Sequence, residues 1–326
     1  MNKSIAQSDG DEYQGIMPIR LAPNILKELY VLRPAYSLMA IIANWIGINL
    51  SIWLSELYWN FPLYILVVFW IGTRQHALAI LMHDAAHYRV TTNKKLNDII
   101  GECFLAWPLT ITLFGYRKTH AAHHRHLNTE NDPDWTQDIQ RAEFSFPKTL
   151  PQITWITIKY CLGFYAIKEM TNVSGYNERV PLQINLPRFL LYIAAVAASI
   201  YFNFWLELIL YWIVPVMTSL LLLLYVRAVA DHHAGLANDH LYNKTRTTIA
   251  TWWESLLIAP HNVNFHIEHH MYPGVPFYNL PKLHAILSDI PAYRDNAHIT
   301  HGLLKGLLSE CQGHPRSALA GTHSAK

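Results

Sequence analysis

Three histidine clusters in this 326-residue chain have the spacing of metal-binding helices. His83 and His87 stand at i and i+4 in the run His-Asp-Ala-Ala-His. His120, His123 and His124 form a second cluster, and His266, His269 and His270 a third, both with the pattern H-x-x-H-H. Positions i, i+3 and i+4 share one helix face, so each cluster is predicted to project its imidazoles in one direction. Neutral imidazole suits iron, copper, zinc and nickel. A lone histidine is usually a surface or satisfied core residue, and His240, His261, His284, His298, His301, His314 and His323 are assigned to that class. Eight clustered imidazoles exceed what one ion accepts, so two ions are expected. The zinc-protease motif H-E-x-x-H is absent, and Glu268 has the wrong spacing for it. A catalytic zinc site with three protein ligands would leave most of the cluster unexplained. Two redox metals beside apolar spans point to oxygen chemistry.

The elements that must position these residues are membrane helices. Hydrophobic residues make up 52% of the chain and charged ones 15%, against about 25% charged in soluble domains. Net charge is +2, which gives no nucleic-acid surface. Cys103, Cys161 and Cys311 are scattered and predict neither a disulfide framework nor a metal pair. Crossing about 30 Å of hydrocarbon takes about 20 residues. Four apolar runs are predicted to do so, at about 36–58, 61–82, 186–203 and 205–226. Residues 99–116 and 153–166 are shorter or broken by Pro108, and are expected to be interfacial or half-inserted helices. A soluble all-helical protein would alternate apolar and polar faces, whereas 206–226 is apolar all round.

Two tight hairpins follow, turning at Asn60-Phe61-Pro62 and near Asn203. Every lysine and arginine except Arg74 falls on the tails, on the central loop or at the span ends beside them. The excess of basic residues in cytoplasmic loops then places segments 83–185 and 227–311, with all three clusters, on the cytoplasmic side. Met1 to Glu12 is polar and predicts no signal peptide. The expected organisation is a cytoplasmic tail over 1–34, a single membrane domain over 35–311 and a disordered tail over 312–326. The fold class is all-α integral membrane, with a cytoplasmic helical cap carrying a histidine-rich di-metal site.

The three boxes resemble those of the membrane fatty acid desaturase and hydroxylase superfamily. The likeness extends to H-A-A-H-H-R-H-L-N followed by N-D-P-D-W, and to the run from Pro260 to His284. It covers the chain from about the second span onwards. The resemblance implies two irons held by the boxes and a ninth histidine after the last span. Ala-Asp-His ending at His232 matches the family's Ala-Glu-His, so His232 is the implied ligand, with His233 as fallback and His126 outside the set. It also implies O₂ as co-substrate, two external electrons, and removal of hydrogen from an unactivated methylene, giving an alkene or, by oxygen rebound, an alcohol. The implied substrate is a fatty acyl lipid, an acyl-CoA or an acyl-ACP. The H-P-G-G motif of fused cytochrome b5 domains and the dinucleotide fingerprint G-x-G-x-x-G are absent. The donor is therefore expected to be separate, a ferredoxin or cytochrome b5. The membrane is the bacterial inner membrane or the endoplasmic reticulum. A carotenoid or lipid hydroxylase or ketolase of the same superfamily is the nearest alternative. A histidine-rich metal transporter is the alternative from another class, and would carry its ligands midway across the spans.

Asp84 is expected to orient a neighbouring imidazole through its other ring nitrogen. Glu268 is given the same role, or a position facing water. Asn262 stands four residues before His266 and is expected to line the site. Asp132 and Asp134 flank Pro133 and read as loop or helix-start residues. Arg74, inside the second span, is costly there and is expected to snorkel or pair with Glu102. Trp107, Trp252 and Trp253 read as interfacial anchors or core.

Overall fold

The computed structural model describes residues 13–175, 180–236 and 240–313. The expected disordered tail lies outside the described residues except for Gln312 and Gly313, and so do His314 and His323. The chain is predominantly helical: α1 Pro23–Leu29, α2 Pro34–Leu57, α3 Phe61–Ala86, α4 Lys94–Leu109, α5 Leu113–His126, α6 Pro133–Asp138, α7 Leu150–Cys161, α8 Ala166–Gly175, α9 Leu182–Tyr201, α10 Trp205–His232, α11 Trp252–Leu257, α12 His266–Met271 and α13 Leu280–Ser288. Two short parallel strands, β1 Thr247–Ile249 and β2 Ile299–His301, pair with Thr248 opposite Thr300.

Among the described residues, four helical stretches are long and apolar enough to cross a membrane. They are Pro23–Leu57, Phe61–Ala86, Leu182–Tyr201 and Trp205–His232, with mean hydropathies of 1.6, 1.6, 1.4 and 2.2. Their starts are set by local chemistry. Proline at the first turn opens α2, where its missing N–H costs nothing. Asn60 caps α3 by accepting from Leu63 N at 2.9 Å. The turn before α3 is therefore Tyr58 to Asn60, with Phe61 and Pro62 already helical.

Two of these stretches outrun the apolar segments that announce them. α3 continues past Met82 to Ala86, so the first histidine box is its last turn and not a segment beyond it. α10 runs to His232, which is its final residue. In both cases the backbone ladder continues where hydropathy falls, because the added turns pack against protein instead of lipid.

α3 is the central element, with its C-terminal half fully enclosed. It meets α10 where a Cβ on Gly72 would lie 2.2 Å from Ser219 Oγ, and Ser219 donates to Val68 O at 2.9 Å. Small residues let the two backbones approach closely at that crossing. The middle of α10 is widened by π turns at Ile209–Ile213 and Val216–Leu220, on either side of Pro215. Proline has no N–H for the ladder, and its ring clashes with the preceding turn, so the helix loosens around it.

α4 and α5 meet at 90°. Pro108 lies in the last turn of α4, and Thr110 reverses the chain at φ +68°. Glu102 then caps α5, accepting from Leu113 N at 3.0 Å and Phe114 N at 2.9 Å. It is not paired with Arg74. Arg74 donates to the Leu256 carbonyl and lies 4.4 Å over the Trp70 ring.

Candidate metal centre

Nine histidines gather at the ends of four helices, in two groups. His83, His87, His120, His124 and His269 form one; His123, His232, His266 and His270 form the other. α3 supplies His83 and, at its C-cap, His87; α10 supplies His232. α5 and α12 supply both groups, and they do so reciprocally. In α5 the i and i+4 residues, His120 and His124, enter the first group and His123 enters the second. In α12 the i and i+4 residues, His266 and His270, enter the second and His269 the first. The expectation that a box points in one direction thus holds only for i and i+4. The i+3 residue sits 60° round the helix and reaches across.

The spacing within each group tests whether the residues suit an ion. In the first, His120 Nε2 is 3.0 Å from both His87 Nε2 and His124 Nε2, and His124 Nε2 is 3.0 Å from His269 Nε2. In the second, His266 Nε2 is 2.9 Å from His232 Nε2 and 3.1 Å from His270 Nε2. A ring nitrogen carries either one hydrogen or one lone pair, never both. His120, His124 and His266 each face two nitrogens, so hydrogen bonding among the rings leaves contacts unsatisfied. A shared cation satisfies them all. With nitrogen ligands at about 2.1 Å, neighbours at right angles about one ion lie about 3.0 Å apart, and tetrahedral neighbours about 3.4 Å. The observed separations are in the range of donors that share one ion, and the residues fit a metal in each group.

The surroundings keep the imidazoles neutral and aimed. His266, His269 and His270 are buried, and that burial, followed by the charge of neighbouring histidines, holds their pKa values well below 6.5. Their lone pairs are therefore available at neutral pH. His123 Nδ1 donates to both oxygens of Asp132, at 3.0 and 2.9 Å, which leaves Nε2 as its ligand atom. Asp132 also caps α6, accepting from Asp134 N and Trp135 N. Its capping role could be read from Asp before Pro, but its grip on His123 could not, because that depends on how α6 folds back on α5.

Asp84 Oδ1 lies 3.8 Å from His83 Nδ1, while Oδ2 accepts from Phe277 N at 3.1 Å. It ties α3 to the segment after α12 more than it orients a ring. Asp231 stands in a similar relation to His266, with Oδ2 3.7 Å from its Nδ1 and held by Arg227. Glu268 does not face water. It is buried and accepts from Thr247 Oγ1 at 2.5 Å, from His284 Nδ1 at 2.5 Å and from Tyr293 OH. It braces α12 from the side opposite the ligands. Asn262 donates to Phe277 O at 3.0 Å and does not line the cavity beside the histidine groups. The helical register assumed between Asn262 and His266 fails because Asn262 has φ +57°.

His233 turns away from the groups, stacks on Trp135 and lies 3.1 Å from Asp138. His126, outside both groups, is buried. His284 and His298 are satisfied core residues, the latter between Asn243 and Glu310. His240 and His301 are exposed. His261 is bonded to Asn44. Trp252 is largely exposed, as an interfacial anchor would be.

A cavity of about 250 Å³ opens onto both groups through His120, His123, His232 and His266. Ala79, Met82, Leu109, Val216, Leu220 and Leu224 give it an apolar wall.

Several known proteins are similar to this chain. A dihydrorhizobitoxine desaturase of Bradyrhizobium elkanii is 28% identical over 87% of this chain and 85% of its own. A sphingolipid delta(4)-desaturase of Mus musculus is 23% identical over 81% of this chain and 79% of its own. A chloroplastic omega-3 fatty acid desaturase of Ricinus communis is 25% identical over 81% of this chain and 58% of its own. The model of the fatty acid desaturase family matches residues 59–302, from the start of α3 through all nine histidines, and the chain belongs to that family of oxidoreductases.

Proposed function

We propose that the protein is an O₂-dependent lipid desaturase that holds two irons, one on His83, His87, His120, His124 and His269 and the other on His123, His232, His266 and His270. The observation that supports it is the pair of nitrogen clusters that ring-to-ring hydrogen bonds cannot satisfy. When bound, the irons would supply the redox change needed to take hydrogen from a methylene, which no acid or base in the site can do.

The remaining tasks fall to the chain. Ala79, Met82, Leu220 and Leu224 exclude water from the cavity and offer dispersion contacts to an apolar substrate segment. α5 and α12 each hold ligands of both groups, so they fix the spacing between the groups as well as within them. Asp132 retains the Nδ1 proton of His123 and so holds its tautomer.

The substrate is an apolar-chain lipid, and the electrons come from a ferredoxin or cytochrome b5. α2 with α3, and α9 with α10, form the two membrane hairpins. The basic residues on the tails and central loop favour a cytoplasmic site, in a bacterial inner membrane in preference to the endoplasmic reticulum. Metal analysis of purified protein should give about two irons per chain, one for each histidine group. Lipid profiling of an expressing host should then show a new double bond. Zinc in place of iron, or a single metal per chain, would sink the proposal.

A further inference from the structure

Two buried polar side chains of the membrane-length helices take no part in either histidine group: Asn44 on α2 and Arg74 on α3. A carboxamide and a guanidinium are costly inside such helices and mark a place that uses them. They converge, Arg74 Nη1 donating to Asn44 Oδ1 at 3.4 Å. Arg74 Nη2 donates to Leu256 O, one of the carbonyls that α11 leaves open at its C-terminal end. Asn44 Nδ2 donates to Ala40 O at 2.8 Å and to His261 Nε2 at 3.1 Å. The first two membrane-length helices therefore hold two points on the chain that leads from α11 to α12.

That chain turns sharply at the held residue. His261 has φ +55° and ψ +37°, and Asn262 follows with φ +57°. Consecutive left-handed residues that carry a Cβ are disfavoured, and they persist only where their surroundings fix them. Here both are fixed. The His261 ring meets Asn44 on one side and the Phe277 ring, 5.0 Å away, on another. Asn262 Nδ2 donates to Phe277 O at 3.0 Å, and Phe277 N donates to Asp84 Oδ2 at 3.1 Å. The segments before and after α12 are thus joined to each other, to α2 through Asn44 and to α3 through Asp84.

α12 depends on such flanks. It is six residues long and has no side-chain cap at its start, and a helix this short does not hold its own direction. Glu268 braces it from one side, which leaves its tilt to its two ends. The tilt matters because His269 must reach the first histidine group while His266 and His270 reach the second.

We infer that Asn44 and His261 are a positioning pair: the carboxamide of the first membrane-length helix holds the left-handed turn at His261, and that turn sets the angle at which α12 presents its three imidazoles. Arg74 supports the pair by holding Asn44 and the end of α11. The inference rests on the two-iron reading for its consequence and on the geometry of the turn for its cause.

Hydrogen–deuterium exchange of the metal-free, full-length protein in detergent tests the cause. In Asn44→Leu and in His261→Gly, amides of residues 264–271 should exchange about tenfold faster, the effect of one lost hydrogen bond on local opening, while those of α3 stay unchanged. Iron affinity should fall by about 10- to 100-fold, and the Mössbauer components of both irons should change, because α12 serves both groups. The double variant should lose no more than the worse single one, as expected of two residues acting through one contact. Should Asn44→Leu fail to fold, His261→Gly carries the exchange test alone, since glycine takes this backbone conformation without strain. Unchanged exchange in 264–271 overturns the inference, as does faster exchange throughout the protein or a double variant whose losses add. Any of these leaves a two-iron desaturase standing. Parent protein that takes up no iron would sink the desaturase and leave the exchange result intact.

Discussion

Asp132 meets His123 edge-on, with both carboxylate oxygens about equally close to the same ring nitrogen, at 3.0 and 2.9 Å. The carboxylate is itself fixed, because it accepts from the backbone amides of Asn128, Asp134 and Trp135. Such a braced partner sets the tautomer and the angle of the ring that would ligate the metal.

Replacing Asp132 with Asn should lower metal affinity or activity by about 10- to 100-fold. Only the iron of the second histidine group should change its Mössbauer signature. Asp132→Glu should restore part of the loss. Identical changes at both irons would point to general unfolding instead of a misaligned His123.

The reciprocal arrangement of the two H-x-x-H-H boxes puts neighbouring histidines in different groups, so in the proposed two-iron site they would serve different ions. His269→Ala should deplete the first group and His270→Ala the second, each leaving about one iron per chain where the wild type holds about two. A double variant losing both irons, with each single losing a different spectroscopic component, would follow. Loss of the same component in both single variants would contradict the geometry.

Gly72 allows α3 and α10 to touch. In Gly72→Ala, the added methyl would meet Ser219 Oγ and Cβ at 2.2 and 2.5 Å, a degree of overpacking that costs about 1–3 kcal/mol. The unfolding temperature in detergent should drop, and Ser219→Gly in the same chain should recover part of the difference. A Gly72→Ala protein as stable as the parent would show that the helices separate freely.

Stability should fall in acid through Glu310. Burial raises its pKa, but the hydrogen bond with His298 and the charge of Arg246 outweigh that and bring it to about 2 from 4.5. A carboxylate with a depressed folded-state pKa contributes stability that is complete above its unfolded value and lost as pH falls through the folded one. The window runs from about 4.5 down to about 2, and the contribution is of order 3 kcal/mol. Glu310→Gln should be less stable than the parent near neutrality, and should show a shallower decline across that window. Arg246, which Glu310 holds, also donates to the carbonyls of Val229 and Ala230 at the end of α10. Acid loosening should therefore reach His232 and reduce iron retention in the same range.

Much of the site was legible because its chemistry is local. Histidines at i, i+3 and i+4 give eight of the nine gathered imidazoles by counting residues, and apolar runs of sufficient length give the four membrane helices. His232 came only from likeness to relatives, since a single histidine at a helix end carries no spacing signal of its own. Local periodicity also misled. It put Asn262 beside the site on the strength of its place four residues before His266, where the backbone in fact adopts φ +57°, and it gave Glu268 a side that could face water.

What the tertiary structure alone decided is the division of the nine histidines into two groups. Sequence determines that His120, His123 and His124 lie near one face, but not which group each joins, because that depends on how α5 and α12 are brought together. The same is true of Asp132, whose partner His123 lies on another helix. Spacing along a helix is set by its 1.5 Å rise and 3.6-residue turn. Contacts between helices are set by side-chain volumes and crossing angles, such as the close approach that Gly72 permits, and no one-dimensional pattern records them.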